Sequence, residues 1–315
     1  MKTAVVAIGG NAILRAGESG SAEVQLANLE VTCGRLAEMI AQGYDIVITH
    51  GNGPQVGNIL LQQEAGKALV PPMPLDVCVA ESQGQIGYML QQTLQRALAA
   101  KGHEKTVASV ITQVVVDAED PAFQTPTKPI GPYFTREEAE LLEREKGWRM
   151  MEDEARGGFR RVVPSPVPVD ILEKEAIKRL VFNEDGGYMV IAAGGGGVPV
   201  IATEHGYRGV EAVVDKDLAS SVLASCIGER LLIFLTDVPH VYLNYGTEDQ
   251  TPISLVSAEE IRMHHERGEF PPGTMGPKIE AALLFLGKGG KEVVITNAEM
   301  LLAALDGRAG TKIVP

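Results

Sequence analysis

The alternation of apolar runs with amphipathic segments constrains the fold of this chain more than any other feature. Apolar runs typical of β-strands occupy residues 3–8, 45–49, 107–116, 187–197, 230–238 and 291–296. Segments with an apolar residue at every third or fourth position, typical of helices, occupy residues 21–41, 76–101, 170–182, 216–227, 276–287 and 297–305. Apolar strands joined by helices predict an α/β protein whose parallel sheet is covered on both faces.

One long region interrupts this alternation. Residues 119–168 are rich in proline, glycine and charged side chains, and they contain a charged helical segment. An insertion of this length and character is typical of a lid or a small subdomain. A surface elaboration or a dimer contact would have the same composition, so the residues alone leave both interpretations open.

The charge balance limits the partners that the chain can bind. Its 315 residues include 41 acidic and 28 basic side chains, which gives a net charge of −13. Because nucleic acids and anionic membranes attract proteins through a basic surface, neither is expected as a partner. A small anionic substrate would instead need a few local lysines and backbone N–H groups.

Cysteine usage and the absence of long apolar stretches predict a cytoplasmic protein. Cys33, Cys78 and Cys226 are scattered and lack the spacing of metal ligands, which favours reduced cysteines. The first apolar run is too short for a signal peptide, and no stretch of the sequence is long enough to span a bilayer. The length allows one large α/β domain or two smaller ones.

Short polar turns follow several of the predicted strands. They read GGN at 9–11, HGNGP at 50–54, GGGG at 194–197 and TD at 236–237. Each glycine pair by itself is more typical of a tight turn than of a binding site. Ligands of open α/β sheets, however, bind at the carboxyl ends of the strands. Three glycine-rich turns at such ends therefore predict a cradle of backbone N–H groups for an anion.

Three lysines are candidates for the positive charge that this cradle would need. Lys216 and Lys278 each stand where a helical segment begins, a position at which the helix dipole disfavours a cation. Asp215 and Asp217 flank Lys216 and would offset that cost. Lys128 lies inside the 119–168 insertion, before a proline that restricts its backbone. For each lysine, ordinary exposure to solvent is the alternative.

Taken together, the turns and the lysines predict phosphoryl transfer from a nucleotide to a small anionic acceptor. This chemistry depends mostly on positioning and on stabilisation of charge, not on a strong nucleophile. The six histidines show no zinc-ligand spacing, and the sequence has no G-x-S-x-G element.

Nine segments carry a resemblance to a known family. They are VVAIGGNAIL, THGNGPQVGN, PLDVCVAESQGQIGYMLQQ, KPIGPYF, WRMMEDEARGGFRRVVPSPVP, AAGGGGVPV, VVDKDLAS, LTDV and GTMGPK. They occur in this order from residue 3 to beyond residue 295, and they strongly resemble the bacterial and archaeal carbamate kinases of the amino-acid kinase fold. The long segment from Trp148 to Pro168 is specific, because the wider fold group does not share it.

This resemblance implies a three-layer αβα sandwich with a mainly parallel central sheet and a small protruding subdomain. Residues 1–315 would form a single amino-acid kinase domain, with residues 119–168 as its lid. Residues 1–185 would bind carbamate and the phosphoryl group, and residues 186–315 would bind the nucleotide. A homodimer with small-molecule partners is also implied.

The implied reaction is reversible: ATP and carbamate give ADP and carbamoyl phosphate. Mg²⁺ would be carried with the nucleotide, and no metal ion would be held by the protein alone. The resemblance further implies that the reaction runs toward ATP during the breakdown of arginine or related ureido compounds.

The resemblance also assigns residues to roles. Lys128 would reach carbamoyl phosphate from the lid, Lys216 and Lys278 would bind the transferring phosphoryl group, and Asp217 would orient these two lysines. The implied carbamate and phosphoryl site consists of Gly9, Gly10, Asn11, Gly51, Asn52, Gly53, Gly194, Gly195 and Gly196. The implied nucleotide site consists of Lys216, Thr236, Asp237, Val238, Tyr242, Met275, Gly276 and Lys278.

One contrast within the fold, one departure from the family pattern and two alternatives accompany this interpretation. Kinases of the same fold that act on glutamate or N-acetylglutamate usually carry a lysine just before the first glycine turn, where this chain has Ala7 and Ile8. Glu81 stands where a neutral residue is expected. The alternatives are a kinase of the same fold for another small carboxylate, and a catalytically idle sensor that binds nucleotide or carbamoyl phosphate.

Overall fold

The computed structural model describes residues 2–15, 17–153, 157–183, 187–271 and 273–315. The strands within these ranges are β1 Lys2–Ile8, β2 Tyr44–His50, β3 Val107–Ser109, β4 Gln113–Val116, β5 Lys128–Phe134, β6 Arg149–Glu152, β7 Phe159–Val163, β8 Pro168–Ile171, β9 Met189–Ile191, β10 Val198–Thr203, β11 Gly206–Gly209, β12 Leu231–Leu235, β13 Val241–Leu243, β14 Thr251–Ile253, β15 Leu255–Ser257, β16 Glu292–Thr296 and β17 Thr311–Val314. The α-helices within them are α1 Ala22–Ala41, α2 Gly53–Gly66, α3 Leu75–Ala99, α4 Arg136–Lys146, α5 Lys174–Val181, α6 Lys216–Ile227, α7 Ala258–Glu266, α8 Gly276–Gly287 and α9 Leu301–Leu305.

The largest sheet of the described chain has the strand order β15-β17-β16-β12-β1-β2-β9-β3. Its neighbouring strands are parallel except for β16 and β17, which are antiparallel. The fold class predicted from the apolar runs is therefore confirmed.

Side chains of the central strands alternate between two hydrophobic layers. On β1, Val5 and Ala7 pack into the layer that contains α5, α6, α7 and α8. Val6 and Ile8 point to the opposite layer, which contains α1, α3 and α9. Because both faces of β1 are buried, this strand has no polar face, and the apolar run in the sequence reflects its central position.

The region 119–168 forms a sheet of its own. Strands β5, β7 and β6 are antiparallel neighbours in that order, and α4 connects β5 to β6. Residues 154–156 of this region lie outside the described residues. The sheet is joined to the rest of the molecule through β5, whose Ile130 packs with Val56 and Ile59 of α2.

Most predicted elements are present, but several differ in extent or in type. The run 107–116 is divided between β3 and β4, which belong to different sheets, because Thr112 hydrogen-bonds with Gln83 of α3 between them. The segment 170–182 begins as strand β8, and its helix starts only at Lys174. In the run 187–197, the strand ends at Ile191.

Two further expectations concern the ends of elements and of segments. The helix expected over 297–305 covers only Leu301–Leu305. The expected boundary between a carbamate side and a nucleotide side, at residues 185 and 186, lies outside the described residues. Within the described ranges, no helix has the length and apolar character needed to cross a membrane.

Candidate active site

The carboxyl ends of β1, β2 and β12 lie level with one another. Ile8 pairs with His50 on one side and with Leu235 on the other, so the turns after the three strands meet at one edge of the sheet. A cavity of about 440 Å³ opens at this edge. Its lining includes Gly9, Gly10, Asn11, Gly51, Asn52, Gly53, Lys128, Gly195, Asp215, Lys216, Asp217, Thr236, Asp237, Val238, Tyr242, Met275 and Lys278.

The first two turns and the side chain of Lys216 lie close together around Gly51. A Cβ atom on Gly51 would lie 3.3 Å from Cδ of Lys216 and 3.5 Å from the backbone N of Gly10. The missing side chain of Gly51 therefore leaves room for the Lys216 stem between the two turns. The Gly9 N–H donates to the carbonyl oxygen of Leu235 at 3.1 Å, which fixes the first turn to the end of β12.

The turn at 194–196 supports the cavity mostly from behind. Gly195 lines the cavity, and a Cβ atom on it would lie 2.1 Å from Nδ2 of Asn52. Gly194 and Gly196 are buried and are not part of the lining: a Cβ atom on Gly194 would lie 2.3 Å from Nε2 of His50. These two glycines allow close packing beneath the cavity.

Asp217 joins two of the predicted lysines. Its Oδ1 accepts a hydrogen bond from Nζ of Lys216, and its Oδ2 accepts from Nζ of Lys278 at 3.1 Å. Counted over the whole residue, Asp217 is only 4% exposed and Lys278 only 8%, so solvent screens this group weakly. Lys278 also donates to the carbonyl oxygen of Thr274 at 3.2 Å. The structure thus places two ammonium groups and one carboxylate at the first turns of α6 and α8.

Burial dominates the electrostatics of Lys216. It lowers the pKa of the Lys216 ammonium, and the positive charge of Lys278 lowers it further, while Asp217 opposes both effects. Two cations around one carboxylate leave an excess positive charge in a site of low dielectric constant, which is suited to a phosphoryl group.

Asp215 holds the third lysine. It precedes α6 as the N-cap residue, and its Oδ1 accepts from the backbone N–H of Asp217 at 2.9 Å. Its Oδ2 accepts from Nζ of Lys128 at 2.5 Å. Burial alone would raise the pKa of Asp215, but Lys128 and Lys216 hold it well below its usual range. From the sequence, Asp215 could be recognised only as a neighbour of Lys216. Its contact with Lys128, 87 residues away, forms only in the folded structure.

The cavity has more aromatic side chains in its lining than the sequence motifs predict. In addition to the predicted residues, it is lined by His240, Tyr245, Phe270, Pro271, Gly273 and Thr274. The rings of His240 and Tyr242 are 6.1 Å apart edge to face, and those of Tyr242 and Tyr245 are 5.9 Å apart. In the sequence, the close spacing of these three aromatic residues after β12, in HVYLNY, could have indicated that they line the site together. Gly276 is not part of the lining; it is the first residue of α8.

Comparisons with known proteins agree on one family. A sequence model described as the amino acid kinase family matches residues 2–297. The carbamate kinase of Pyrococcus furiosus is 49% identical over 316 residues, covering 100% of this chain and 99% of the relative. That of Trichomonas vaginalis is 48% identical over 314 residues, covering 99% of each. The chain belongs to the carbamate kinase family.

Solved structures of carbamate kinase family members show the same fold. Carbamate kinase from Giardia lamblia bound to citric acid matches with a TM-score of 0.93 and 40% identity, covering 99% of this chain and 98% of that one. Its complex with AMP-PNP matches with a TM-score of 0.91 and 41% identity over the same shares. The expected family and the expected αβα fold are both confirmed.

Glu81, the residue that departs from the expected carbamate kinase pattern, lies outside the cavity lining. It is exposed on α3, where its Oε2 lies 3.5 Å from Nε2 of Gln63. The adjacent Ser82 is buried and accepts a hydrogen bond from Nδ2 of Asn52 at 2.8 Å. Position 82 therefore supports the site, whereas position 81 belongs to the surface.

Proposed function

We propose that this chain catalyses the reversible transfer of a phosphoryl group between carbamoyl phosphate and ADP. The observation that carries the proposal is the buried group of Lys216, Asp217 and Lys278 beside glycine turns in one cavity. Membership of the carbamate kinase family supports carbamate as the acceptor. Flux toward ATP during the breakdown of arginine or related ureido compounds, in the cytoplasm, belongs to the same proposal.

The proposed step needs charge stabilisation more than acid–base catalysis. In the direction of ATP formation, an oxygen of the ADP β-phosphate attacks the phosphorus of carbamoyl phosphate. The bond between phosphorus and the carbamoyl oxygen breaks, and carbamate leaves with the electron pair. Negative charge is spread over the transferring group throughout, so two ammonium groups held in place by Asp217 would stabilise the transition state.

Positions in the cavity support a division between the two substrates. Lys128 and the turns at 9–11 and 51–53 contribute to the lining, and we assign the carbamoyl group to these residues. Thr236, Asp237, Val238, Tyr242 and Met275 also line the cavity, and we assign the nucleotide to them. Asn11 donates to Asp237 at 2.5 Å, so the two sets of residues are in direct contact.

The donor set fits a Mg²⁺ ion that arrives with the nucleotide. Asp215 and Asp217 already accept hydrogen bonds from lysines, and among the described residues no group of three or more His, Cys, Asp or Glu side chains is placed to hold a metal ion. Mg²⁺ commonly takes phosphate oxygens and water as most of its ligands. Asp237 is the lining carboxylate that would face it, and the ion would neutralise phosphate charge.

Two further parts of the proposal concern larger units. We assign residues 119–168 as a lid within a single amino acid kinase domain, because β5 brings Lys128 from this region into the cavity. We also propose a homodimer. Support comes from α3, where Val77, Glu81, Gly84 and Tyr88 form one exposed helical stripe.

A coupled assay tests the central proposal. Purified chain, ADP, Mg²⁺ and carbamoyl phosphate are mixed, and ATP is measured through hexokinase and glucose-6-phosphate dehydrogenase. ATP formation at a rate typical of kinases, on the order of 1–100 per second, is expected. Tight nucleotide binding without turnover would contradict the proposal and favour a sensor. Turnover only with acetyl phosphate or another acyl phosphate would favour a kinase for a different carboxylate.

A further inference from the structure

Lys128 is the one predicted site residue that comes from the 119–168 region. It is the first residue of β5, whereas Asp215, Lys216 and Asp217 all lie at the start of α6. A lysine side chain has four rotatable bonds and carries about 2 kcal/mol of rotamer entropy, so its ammonium group needs a partner to stay at one point. In this structure the partner is Oδ2 of Asp215, at 2.5 Å.

Both oxygens of Asp215 are used, and each has a separate task. Oδ1 caps α6 by accepting from the Asp217 N–H, and Oδ2 accepts from Lys128. Asp215 thereby connects Lys128 to Asp217, which contacts the other two lysines. With one carboxylate between Lys128 and its neighbour Lys216, repulsion between these cations is reduced.

We propose that Asp215 is a positioning residue that holds Lys128 among the cavity residues assigned to carbamoyl phosphate. The inference rests on the proposed role of Lys128 in binding that substrate. An ammonium group has three N–H donors, and the bond to Asp215 uses one of them. The remaining donors are directed by this contact and are available to an oxyanion. Asp215 acts through Lys128 and needs no contact with substrate.

Asparagine at position 215 separates the two tasks of this side chain. Asparagine caps helices about as well as aspartate does, so α6 keeps its N-cap. Its amide has no charge and a single oxygen, so it cannot cap the helix and neutralise Lys128 as well. The Asp215→Asn variant is therefore expected to fold like the wild type and to lose the placement of Lys128, together with the charge that Asp215 presents to Lys216.

A second ion pair between the same two regions supplies a matched control. Nζ of Lys146, at the end of α4, lies 2.7 Å from Oε2 of Glu64 on α2. Neither residue lines the active-site cavity. The Glu64→Gln variant weakens a contact between the 119–168 region and the rest of the molecule without changing the site. It therefore shows how far the kinetics change when only the attachment of this region is weakened.

The experiment measures ATP formation by the full-length chain in wild type, Asp215→Asn, Lys128→Ala, the double variant and Glu64→Gln. We expect KM for carbamoyl phosphate to rise on the order of tenfold in Asp215→Asn, with KM for ADP nearly unchanged. The double variant should be no worse than Lys128→Ala alone, because Asp215 has nothing left to position. Glu64→Gln should behave as the wild type.

The outcomes separate the inference from the function on which it rests. Inactive wild type would overturn the proposed reaction, and an unaffected Lys128→Ala variant would overturn the role of that lysine. If Lys128→Ala is impaired while Asp215→Asn is normal, or if the two losses multiply in the double variant, the positioning role of Asp215 is wrong. An equal loss in Glu64→Gln would assign the effect to tethering of the region instead.

Discussion

At the scale of single residues, the decisive feature is that Lys216 and Lys278 share one carboxylate. Each ammonium group contacts a different oxygen of Asp217, so the position of one lysine depends on the other. Both side chains are largely withdrawn from solvent, with 14% and 10% of their surface exposed. In such surroundings a missing ammonium group is not replaced effectively by water or salt.

Removal of either lysine should therefore nearly abolish turnover. Loss of one charge-stabilising donor typically lowers kcat by about 10²–10³-fold, and we expect this range for Lys216→Ala and Lys278→Ala in the ATP-forming assay. Lys105→Ala is the control, because Lys105 is also ion-paired, to Asp45 at 2.8 Å, but does not line the cavity. Near-normal kcat in either site variant would contradict the assigned roles.

His50 predicts a dependence of stability on pH. Burial lowers its pKa to about 4 from 6.5, and its Nε2 has no hydrogen-bond partner among the described residues. In the unfolded chain His50 binds a proton below about pH 6.5, whereas in the folded chain it stays neutral until about pH 4. The contribution of His50 to the free energy of unfolding is therefore fully present above about pH 6.5 and decreases as the pH falls toward 4.

The size of the His50 effect can be measured. At about pH 5 the free energy of unfolding should be lower by about 2 kcal/mol than at about pH 7.5 from this group alone. Urea unfolding at both pH values, at one protein concentration, measures the difference for the wild type and for His50→Gln. The variant should lose most of the difference, whatever its stability at neutral pH. An equal difference in both proteins would show that other groups cause it.

At the scale of elements, the contact between α2 and β5 determines where Lys128 can lie. A Cβ atom on Gly57 of α2 would fall 1.9 Å from Cα of Gly131 on β5, so the two backbones touch. Gly131 has a φ of +74°, a conformation that glycine adopts without strain. Lys128 precedes this point by three residues on the same strand.

Alanine at position 57 should therefore impair the enzyme although it favours the helix. Alanine is better than glycine in a helix interior by about 1 kcal/mol, but here its methyl group must displace β5 and with it Lys128. We expect KM for carbamoyl phosphate to rise in Gly57→Ala. Gly66→Ala, at the end of α2, has only an ordinary contact at 3.9 Å and should have wild-type kinetics. Equal kinetics in both variants would show that β5 adjusts without cost to the site.

Helices and strands that have a local pattern of apolar residues could be predicted from the sequence, whereas contacts between elements distant in sequence could not. The helices at 216–227 and 276–287 were predicted with the bounds that they have, since their apolar spacing is local. The division of 107–116 depends on Gln83, and the place of Lys128 depends on Asp215 and Gly57. Of the predicted glycines, 194 and 196 are buried in close contacts and do not line the cavity, and glycine composition alone does not distinguish a cradle from a tight contact.

At the scale of the whole molecule, the site is assembled from both ends of the chain. Asn11 follows β1 and Asp237 follows β12, yet their side chains are hydrogen-bonded because these strands are neighbours in the sheet. The three lysines likewise come from residues 128, 216 and 278, and none comes from the first glycine turn. The parallel sheet is what brings turns so far apart in sequence to one edge.

The surface of α3 provides the last prediction, which concerns assembly. Tyr88 is 62% exposed and Val77 37% exposed on the stripe that also carries Glu81 and Gly84. Large apolar side chains on one face of a surface helix favour association with a second copy. Light scattering should give about twice the chain mass of 33.6 kDa for the wild type. Tyr88→Arg should shift the mass toward that of one chain.

Val31 on α1 allows the dimer prediction to be separated from a general effect of added charge. It is 48% exposed and lies on a different helix, so Val31→Arg introduces the same side chain at a comparably exposed apolar position. This variant should keep the mass of the wild type. A monomeric wild type would contradict the homodimer itself. A dimeric Tyr88→Arg variant would place the interface on a surface other than the α3 stripe, because a buried arginine without a partner is strongly unfavourable.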